Sequence, residues 1–435
     1  MAEQTHRPEQ QTAEPQVSTQ YKYYVLSFLL VIYIVNFLDR QVLSILLEPI
    51  KQEMGLTDSQ LGLLGGVAFG IFYATFGIPL ARLADRMSRT SLLAICLSLW
   101  SLMTALSGMA RNFTDLLLAR IGVGVGEAGA SPISHSILAD IFPLSQRGTA
   151  LSIYALGIPI GTLIGFALGG VLAEEFGWRW AFIIMGAPGI LLGIVFKLTV
   201  KEPPRVGVTA STPAIPMAQA FKDLMRYRSF LHISFAGGLA AFIGYGSASW
   251  LPSVLSRVHE VSLADRGYIM AFLAGLIGVI GTFAGGYLAD KLKARTKTQA
   301  WYAWVPAIGQ LLSVPFLVAA LLASDLKTMV CLLIPSYIFS GLWLGPTFAI
   351  TQTIATPQTR AFASSVLLFV INIIGLGMGV WLAGVLSDLL LPIYQEKYSL
   401  TYALIYIKLT LGLWGALHFL LGGFSIRKEL ERAQS

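Results

Sequence analysis

Apolar positions in this chain neither alternate nor keep to one helical stripe; they run almost unbroken for the length of a bilayer crossing. Such runs fall at about 23–47, 58–82, 90–110, 113–139, 148–173 and 178–200. After a polar interval they return at about 229–256, 263–289, 300–323, 327–353, 361–390 and 398–424. A helix of about 20 apolar residues spans the roughly 30 Å hydrocarbon core, so the pattern predicts an all-α membrane protein of twelve transmembrane helices. Gly and Pro recur inside the runs, which lipid-embedded helices tolerate because neighbouring helices satisfy the freed backbone groups. The polar stretches give the divisions: a disordered tail over 1–21, a linker over 201–228 marked by Pro203, Pro204, Pro213 and Pro216, and a tail over 425–435. Between them lie two six-helix bundles, 22–200 and 229–424.

The bundles repeat one another. Leu83-Ala84-Asp85-Arg86 follows span 2 and Leu288-Ala289-Asp290-Lys291 follows span 8, at equivalent places in two sets of six. Arg147, Ala150 and Ser152 before span 5 share their spacing with Arg360, Ala363 and Ser365 before span 11. Duplicated halves predict alternating access by rocking around a substrate site near the midplane. Lys and Arg then set the orientation: twenty lie in the loops and tails on the side of the termini and seven on the other. The positive-inside rule therefore places both termini in the cytoplasm of a cell whose inner membrane holds the chain.

Composition agrees and excludes alternatives. Charged residues make up 12% of the chain and apolar ones 55%, with a mean hydropathy of +0.69, against about 25% charged in a globular protein. The net charge of +7 is spread in short clusters between apolar runs, which fits orientation rather than nucleic-acid binding. The 1–21 stretch has no apolar run and does not read as a signal peptide. Cys96 and Cys331 both lie in apolar segments, so neither a disulfide framework nor a cysteine metal site is expected, and no cofactor is expected. His135 between Ser134 and Ser136 is no nucleophile and base, since adjacent helical residues do not face each other. No phosphate-binding loop appears, nor any arrangement of nucleophile, base and orienter. An enzyme acting on lipid headgroups and a signalling receptor are thus weaker readings than a transporter.

Ionisable groups inside a bilayer are costly and mark function by default. Asp39 and Arg40 in span 1, Arg120 and Glu127 in span 4, and Lys408 in span 12 are such groups. Arg120 and Glu127 are seven residues apart, which puts them on one helix face about 10 Å apart. Asp39 and Arg40 fall at a depth between them, so cross pairs between the two spans are geometrically accessible. Asp39 and Glu127 are candidate proton carriers, and Arg40 and Arg120 candidate anion ligands or counter-ions. Lys408 has no acid near it in sequence and is expected to extend its stem toward a polar region. The C-terminal half is nearly neutral. Candidate cavity-lining residues are Asn36 in the first half and Tyr245, Trp250, Trp343, Phe369, Asn372 and Trp381 in the second. A charged wall facing an aromatic one suits an amphiphile with an anionic head. The expected partners are an amphipathic small-molecule or lipid substrate, protons and membrane lipids, with the chain acting as a monomer.

These residues resemble the major facilitator superfamily over about 23–424. Leu83, Ala84, Asp85, Arg86 and Arg89 match its loop signature, with Ala81 and Ser88 in place of two glycines; Arg120, Gly124 and Gly126 resemble its span 4 motif. Gly157, Pro159, Gly161 and Gly165 resemble the glycine-rich span 5 of antiporters. Asp39-Arg40 and Gly124-Val125-Gly126-Glu127-Ala128 look more narrowly like the Spinster group, in a bacterial member. The resemblance implies a cytoplasmic gate at Asp85, Arg86, Arg89 and Asp140, with Asp290 as the repeated aspartate. It also implies a lysophospholipid or sphingosine-1-phosphate-like substrate. A proton-coupled multidrug or organic-anion transporter is the alternative.

Overall fold

The computed structural model describes residues 18–204, 217–355 and 359–434. Most of the predicted 1–21 tail, and residues 205–216 of the predicted linker with Pro213 and Pro216, lie outside that range. Among the described residues there are helices and no strands. Ten helical runs are long and apolar enough to cross a membrane: α1 Thr19–Met54, α2 Asp58–Arg86, α3 Arg89–Ser107, α4 Phe113–Ile141, α5 Ser145–Thr199, α6 Arg228–His259, α7 Leu263–Thr296, α8 Trp301–Leu321, α9 Leu326–Ile354 and α10 Phe362–Glu429. A short helix, Met217–Leu224, lies within the predicted linker, and the last helix continues to Gln434 through the predicted 425–435 tail.

Local chemistry sets the boundaries. Ser18 caps α1 by accepting from the Tyr21 amide, and Gly55 closes it with φ 64°, a left-handed conformation that costs glycine little. Thr57 and Gln60 form a reciprocal capping box at the start of α2. The two longest runs each contain one non-helical residue, Gly177 (φ 82°) in α5 and Gln395 (φ 58°) in α10. One pair of irregularities falls at equivalent places in the two halves. α4 is interrupted after Glu127 and α9 after Gly341. Two further irregularities lie in the second half: α7 and α10 each widen into a π-helical stretch, at Ala271–Ile277 and Ile371–Met378, a device that often accompanies functional sites.

Large apolar side chains face outward around the bundle, among them Leu191 (64% exposed), Phe283 (76%) and Leu389 (69%), a surface that lipid solvates and water does not. The two halves meet unevenly. At the end distant from the termini one buried cluster runs through both, joining Leu46, Leu61 and Phe182 to Trp250, Met270 and Leu404. At the terminal end the halves have separate cores, one around Trp100 and Ile137 that takes in Leu376 from the second half with Tyr245 packed against it, the other around Phe230, Tyr302 and Ile350. Glycines make the distal contact close. A Cβ on Gly66 would lie 2.5 Å from the Gly377 carbonyl oxygen, and one on Gly170 3.0 Å from the Cα of Gly267.

Candidate functional site

Four ionisable side chains come together where α1 crosses α4. The Arg40 Nε donates to the Glu127 carboxylate at 2.5 Å, with Glu127 fully enclosed and Arg40 12% exposed. Glu127 closes the helical segment Phe113–Glu127, and Gly124 lets α2 approach so nearly that a Cβ there would stand 2.7 Å from the Phe69 carbonyl oxygen. Asp39 is fully buried and within electrostatic reach of Arg120, beside Trp100 and Thr104. Neither carboxylate oxygen of Asp39 has a hydrogen-bond partner among the described residues, and the same holds for Nε and Nη1 of Arg120. Of the cross contacts that depth made accessible, Arg40–Glu127 is a formed ion pair and Asp39–Arg120 a proximity; Arg120 is also within electrostatic reach of Glu127. Asn36, 1% exposed, sits next to Glu127.

Three aromatic rings surround Arg40 that sequence reasoning did not select. Its guanidinium carbon lies 4.5 Å from the Tyr73 ring centre, 4.8 Å from Phe37 and 5.1 Å from Phe69; the Arg120 guanidinium is 5.4 Å from the same Phe69 ring. Each desolvated contact of this kind is worth up to about 2 kcal/mol. Tyr245 of the second half is in electrostatic reach of Arg40 and packs against the cores of both halves.

The remaining candidate cavity residues scatter. Asn372 lies in the π-helical stretch of α10, and Phe369 nearby is 51% exposed. Trp343 sits at the interruption of α9 and packs near Gly237. The Trp381 backbone meets Gly62 and Gly66 in the contact between halves. Trp250 lines no open space: it is fully buried and its indole donates to the Val380 carbonyl at 2.8 Å. Lys408 does not extend outward. It is 1% exposed and donates to Ser313 Oγ at 2.6 Å, because its whole stem is enclosed between α10 and α8.

At the terminal end Arg89 gathers the neighbouring elements of the first half. It pairs with Asp140 and donates to Ser136 Oγ at 3.0 Å, to Glu202 at 2.8 Å and to the Pro203 carbonyl at 2.8 Å. Glu202 in turn accepts from the Thr90 amide and from Ser88, capping α3. Asp85 and Arg86 are exposed, and Arg86 lines a shallow recess with Ile78, Pro79, Arg82 and Leu83. In the second half Asp290 accepts from Tyr302 at 2.6 Å.

Burial alone would raise the Glu202 pKa, yet the hydrogen bonds from Thr90, Arg89 and Ser88 outweigh it and hold it below the ordinary value. A carboxylate so depressed adds stability above its unfolded value of about 4.3, and that stability is lost as pH falls through the folded value. Unfolding midpoints of the parent and Glu202→Gln should therefore differ at neutral pH and converge below about pH 4. A gap that stays constant with pH would show that the carboxylate charge contributes nothing.

The distal end carries a denser network, also missed in the sequence. Arg257 of α6 donates two bonds of 2.7 Å to Asp58 at the start of α2 and one of 2.8 Å to Glu48 of α1. Lys51 bridges Asp58 at 3.0 Å and Glu396 at 2.7 Å. Asp388 of α10 accepts from the Asp58 and Ser59 amides at 3.1 and 2.8 Å and from the Ser59 hydroxyl, so the second half caps a helix of the first. Glu174 does the reverse for the Ala264 amide of α7 at 2.7 Å. These charges sit at helix ends, where the sequence offers no signal separating them from ordinary loop charges.

This all-helical architecture, sealed at one end and enclosing a buried charge cluster, defines a membrane transporter. The chain matches the Major Facilitator Superfamily over residues 29–380 and belongs to that family. It is 34% identical over 400 residues to an MFS-type efflux pump of Mycolicibacterium smegmatis, covering 91% of each chain. It is 27% identical over 449 residues to protein spinster homolog 1 of Xenopus laevis, covering 95% of this chain and 83% of that protein. A crystal structure of a bacterial homolog to the human lysosomal transporter Spinster, in an inward-facing and unoccupied conformation, matches with a TM-score of 0.88 and 30% identity over 95% of this chain and 99% of that one. The protein is therefore a transporter of the Spinster type and not an enzyme.

Proposed function

We propose that this protein is a proton-coupled secondary transporter that moves an amphipathic anion, such as a lysophospholipid or a sphingosine-1-phosphate-like lipid, by alternating access. The observation that carries the reading is the enclosed cluster of two acids and two arginines, with Arg40 on Glu127 and Arg120 beside an Asp39 that lacks hydrogen bonds. A buried carboxylate is least costly when its charge is cancelled, either by a cation or by a proton. Proton arrival at Glu127 would release Arg40 to meet a substrate anion, which links loading to protonation. The breaks at Gly177 and Gln395 divide the two longest helices and support twelve spans. With the termini cytoplasmic in the inner membrane, as the charge asymmetry supports, the distal seal is the outer gate and this state faces inward. The cytoplasmic gate on this reading is Asp85, Arg86, Arg89 and Asp140, with Asp290 in the second half; the protein works as a monomer on a small-molecule substrate.

A second reading, export of drugs or organic anions, is favoured by the 34% identical relative described as an efflux pump. Binding separates the two. Lys keeps the charge of Arg but loses its two-pronged hydrogen bonding, so Arg40→Lys and Arg120→Lys are expected to weaken a phosphate-headed lysolipid by about tenfold or more, roughly 1.4 kcal/mol, while sparing an uncharged lipid of matched tail. Equal weakening of both ligands would make the arginines structural counter-ions and remove the anion from the proposal.

A further inference from the structure

Phe69 holds both arginines of the cluster, with its ring centre 5.1 Å from the Arg40 guanidinium and 5.4 Å from that of Arg120. The ring is 1% exposed and stacks on Tyr73 at 5.5 Å, which itself lies 4.5 Å from Arg40. On the backbone side the chain at Phe69 packs against α4 and against the second half at once. Its carbonyl oxygen is in the groove that Gly124 opens in α4, three residues before Glu127. The next residue, Gly70, packs on Gly377 of the second half so closely that a Cβ there would lie 2.9 Å from the Gly377 Cα. Leu376, beside Gly377, joins the first half's core together with Phe69.

From this we propose that Phe69 is a positioning residue: it fixes Arg40 on Glu127 and Arg120 beside Asp39 while the halves are sealed at Gly70–Gly377, and its displacement when that seal opens lets the arginines change acid partners. The physical basis is that guanidinium groups keep to an aromatic face in a desolvated site while two like charges repel. A shared ring therefore orders two cations that would otherwise compete for the same carboxylate. Because the ring and the Gly70–Gly377 contact belong to adjacent residues of one helix, relative motion of the halves reaches both arginines through the Phe69 ring. The coupling role rests on the proton-coupled reading above; the partner-fixing role does not.

Two measurements separate them. The first is a set of double-mutant cycles on the unfolding midpoint of the purified protein, using Arg40→Gln, Arg120→Gln and Glu127→Gln. In the parent, strong coupling is expected for Arg40 with Glu127 and a weaker one for Arg120 with Glu127, which lie within electrostatic reach of each other without an ion pair. In a Phe69→Leu background the first coupling should shrink and the second should grow, with Phe69→Tyr behaving as the parent. Unchanged couplings in Phe69→Leu would overturn the proposal, and a uniform fall in midpoint with the couplings intact would reduce Phe69 to packing. The second compares, in proteoliposomes, accumulation of a phosphate-headed lysolipid driven by a pH gradient with its gradient-free exchange. Phe69→Leu should lose the gradient-driven part while keeping most exchange, and Phe69→Tyr should recover it; an equal loss of both would overturn the coupling role. A parent without gradient dependence would sink the proton-coupled reading, leaving the cycles to decide Phe69.

Discussion

Glu127→Gln should abolish accumulation driven by a pH gradient while leaving substrate exchange in place. Glu127 accepts the 2.5 Å bond from Arg40 with its carboxylate fully enclosed, and Gln has the shape of the protonated acid without its titration. One proton moved per substrate across one pH unit sustains about a tenfold concentration ratio, roughly 1.4 kcal/mol, and that tenfold is what the variant should lose. Arg40 would lose its counter-charge as well, so binding of an anionic lysolipid should hold or tighten while that of an uncharged one does not. Asp39→Asn is the informative contrast. Its carboxylate has no hydrogen-bond partner among the described residues, so substitution disturbs no formed bond and should cost less stability than Glu127→Gln. Gradient-driven uptake equal to the parent's in Glu127→Gln would remove this residue from proton coupling and move the search to Asp39.

The charge cluster was legible because an ionisable side chain inside an apolar run is conspicuous, and because a fixed rise per residue places Asp39 and Arg40 between Arg120 and Glu127 without coordinates. The aromatic surround was not. Phe37, Phe69 and Tyr73 are indistinguishable in sequence from rings that face lipid, and only the approach of α2 at Gly124 brings Phe69 to the arginines. Trp250 shows the converse, an aromatic residue read as lining a cavity whose indole is consumed by a backbone carbonyl. Lys408 was expected to reach a polar region, an argument that follows the length of its stem and ignores enclosure by a neighbouring helix that supplies Ser313. The helical character was legible from run length, and the two Leu-Ala-Asp loops carried the expectation of duplicated halves. The breaks within α5 and α10 were expected as loops, and they shrink to one non-helical residue each. Lys51 and Arg257 are two of the seven basic residues on the side away from the termini, and nothing in one sequence indicates that both reach Asp58.

Arg257→Ala should open the distal seal. Arg257 is 6% exposed and is bound to Glu48 and to both oxygens of Asp58, themselves 6% and 2% exposed. Removing one partner of a buried pair costs about 3–5 kcal/mol because it strands the other charge. Lys51 remains on Asp58 at 3.0 Å and relieves part of this, and opening relieves the rest by admitting water. The sealed state should therefore lose about 3 kcal/mol relative to the open one, a shift of more than about 100-fold in their ratio. A reporter at Val380 reads this directly, since Val380 is 1% exposed and its backbone lies against Gly62 in the contact between halves. With Cys96 and Cys331 replaced, Val380→Cys should react with a membrane-impermeant thiol reagent much faster in Arg257→Ala than in the parent, and at an intermediate rate in Arg257→Lys. Arg179→Ala is the control. Arg179 forms an ion pair of 2.6 Å with Glu53 at the same end of the molecule, but both partners belong to the first half, so its loss should leave the Val380→Cys rate unchanged. Equal acceleration in both variants would mean that the distal charges only stiffen helix ends; acceleration confined to Arg257→Ala would assign the seal to the bridge between halves.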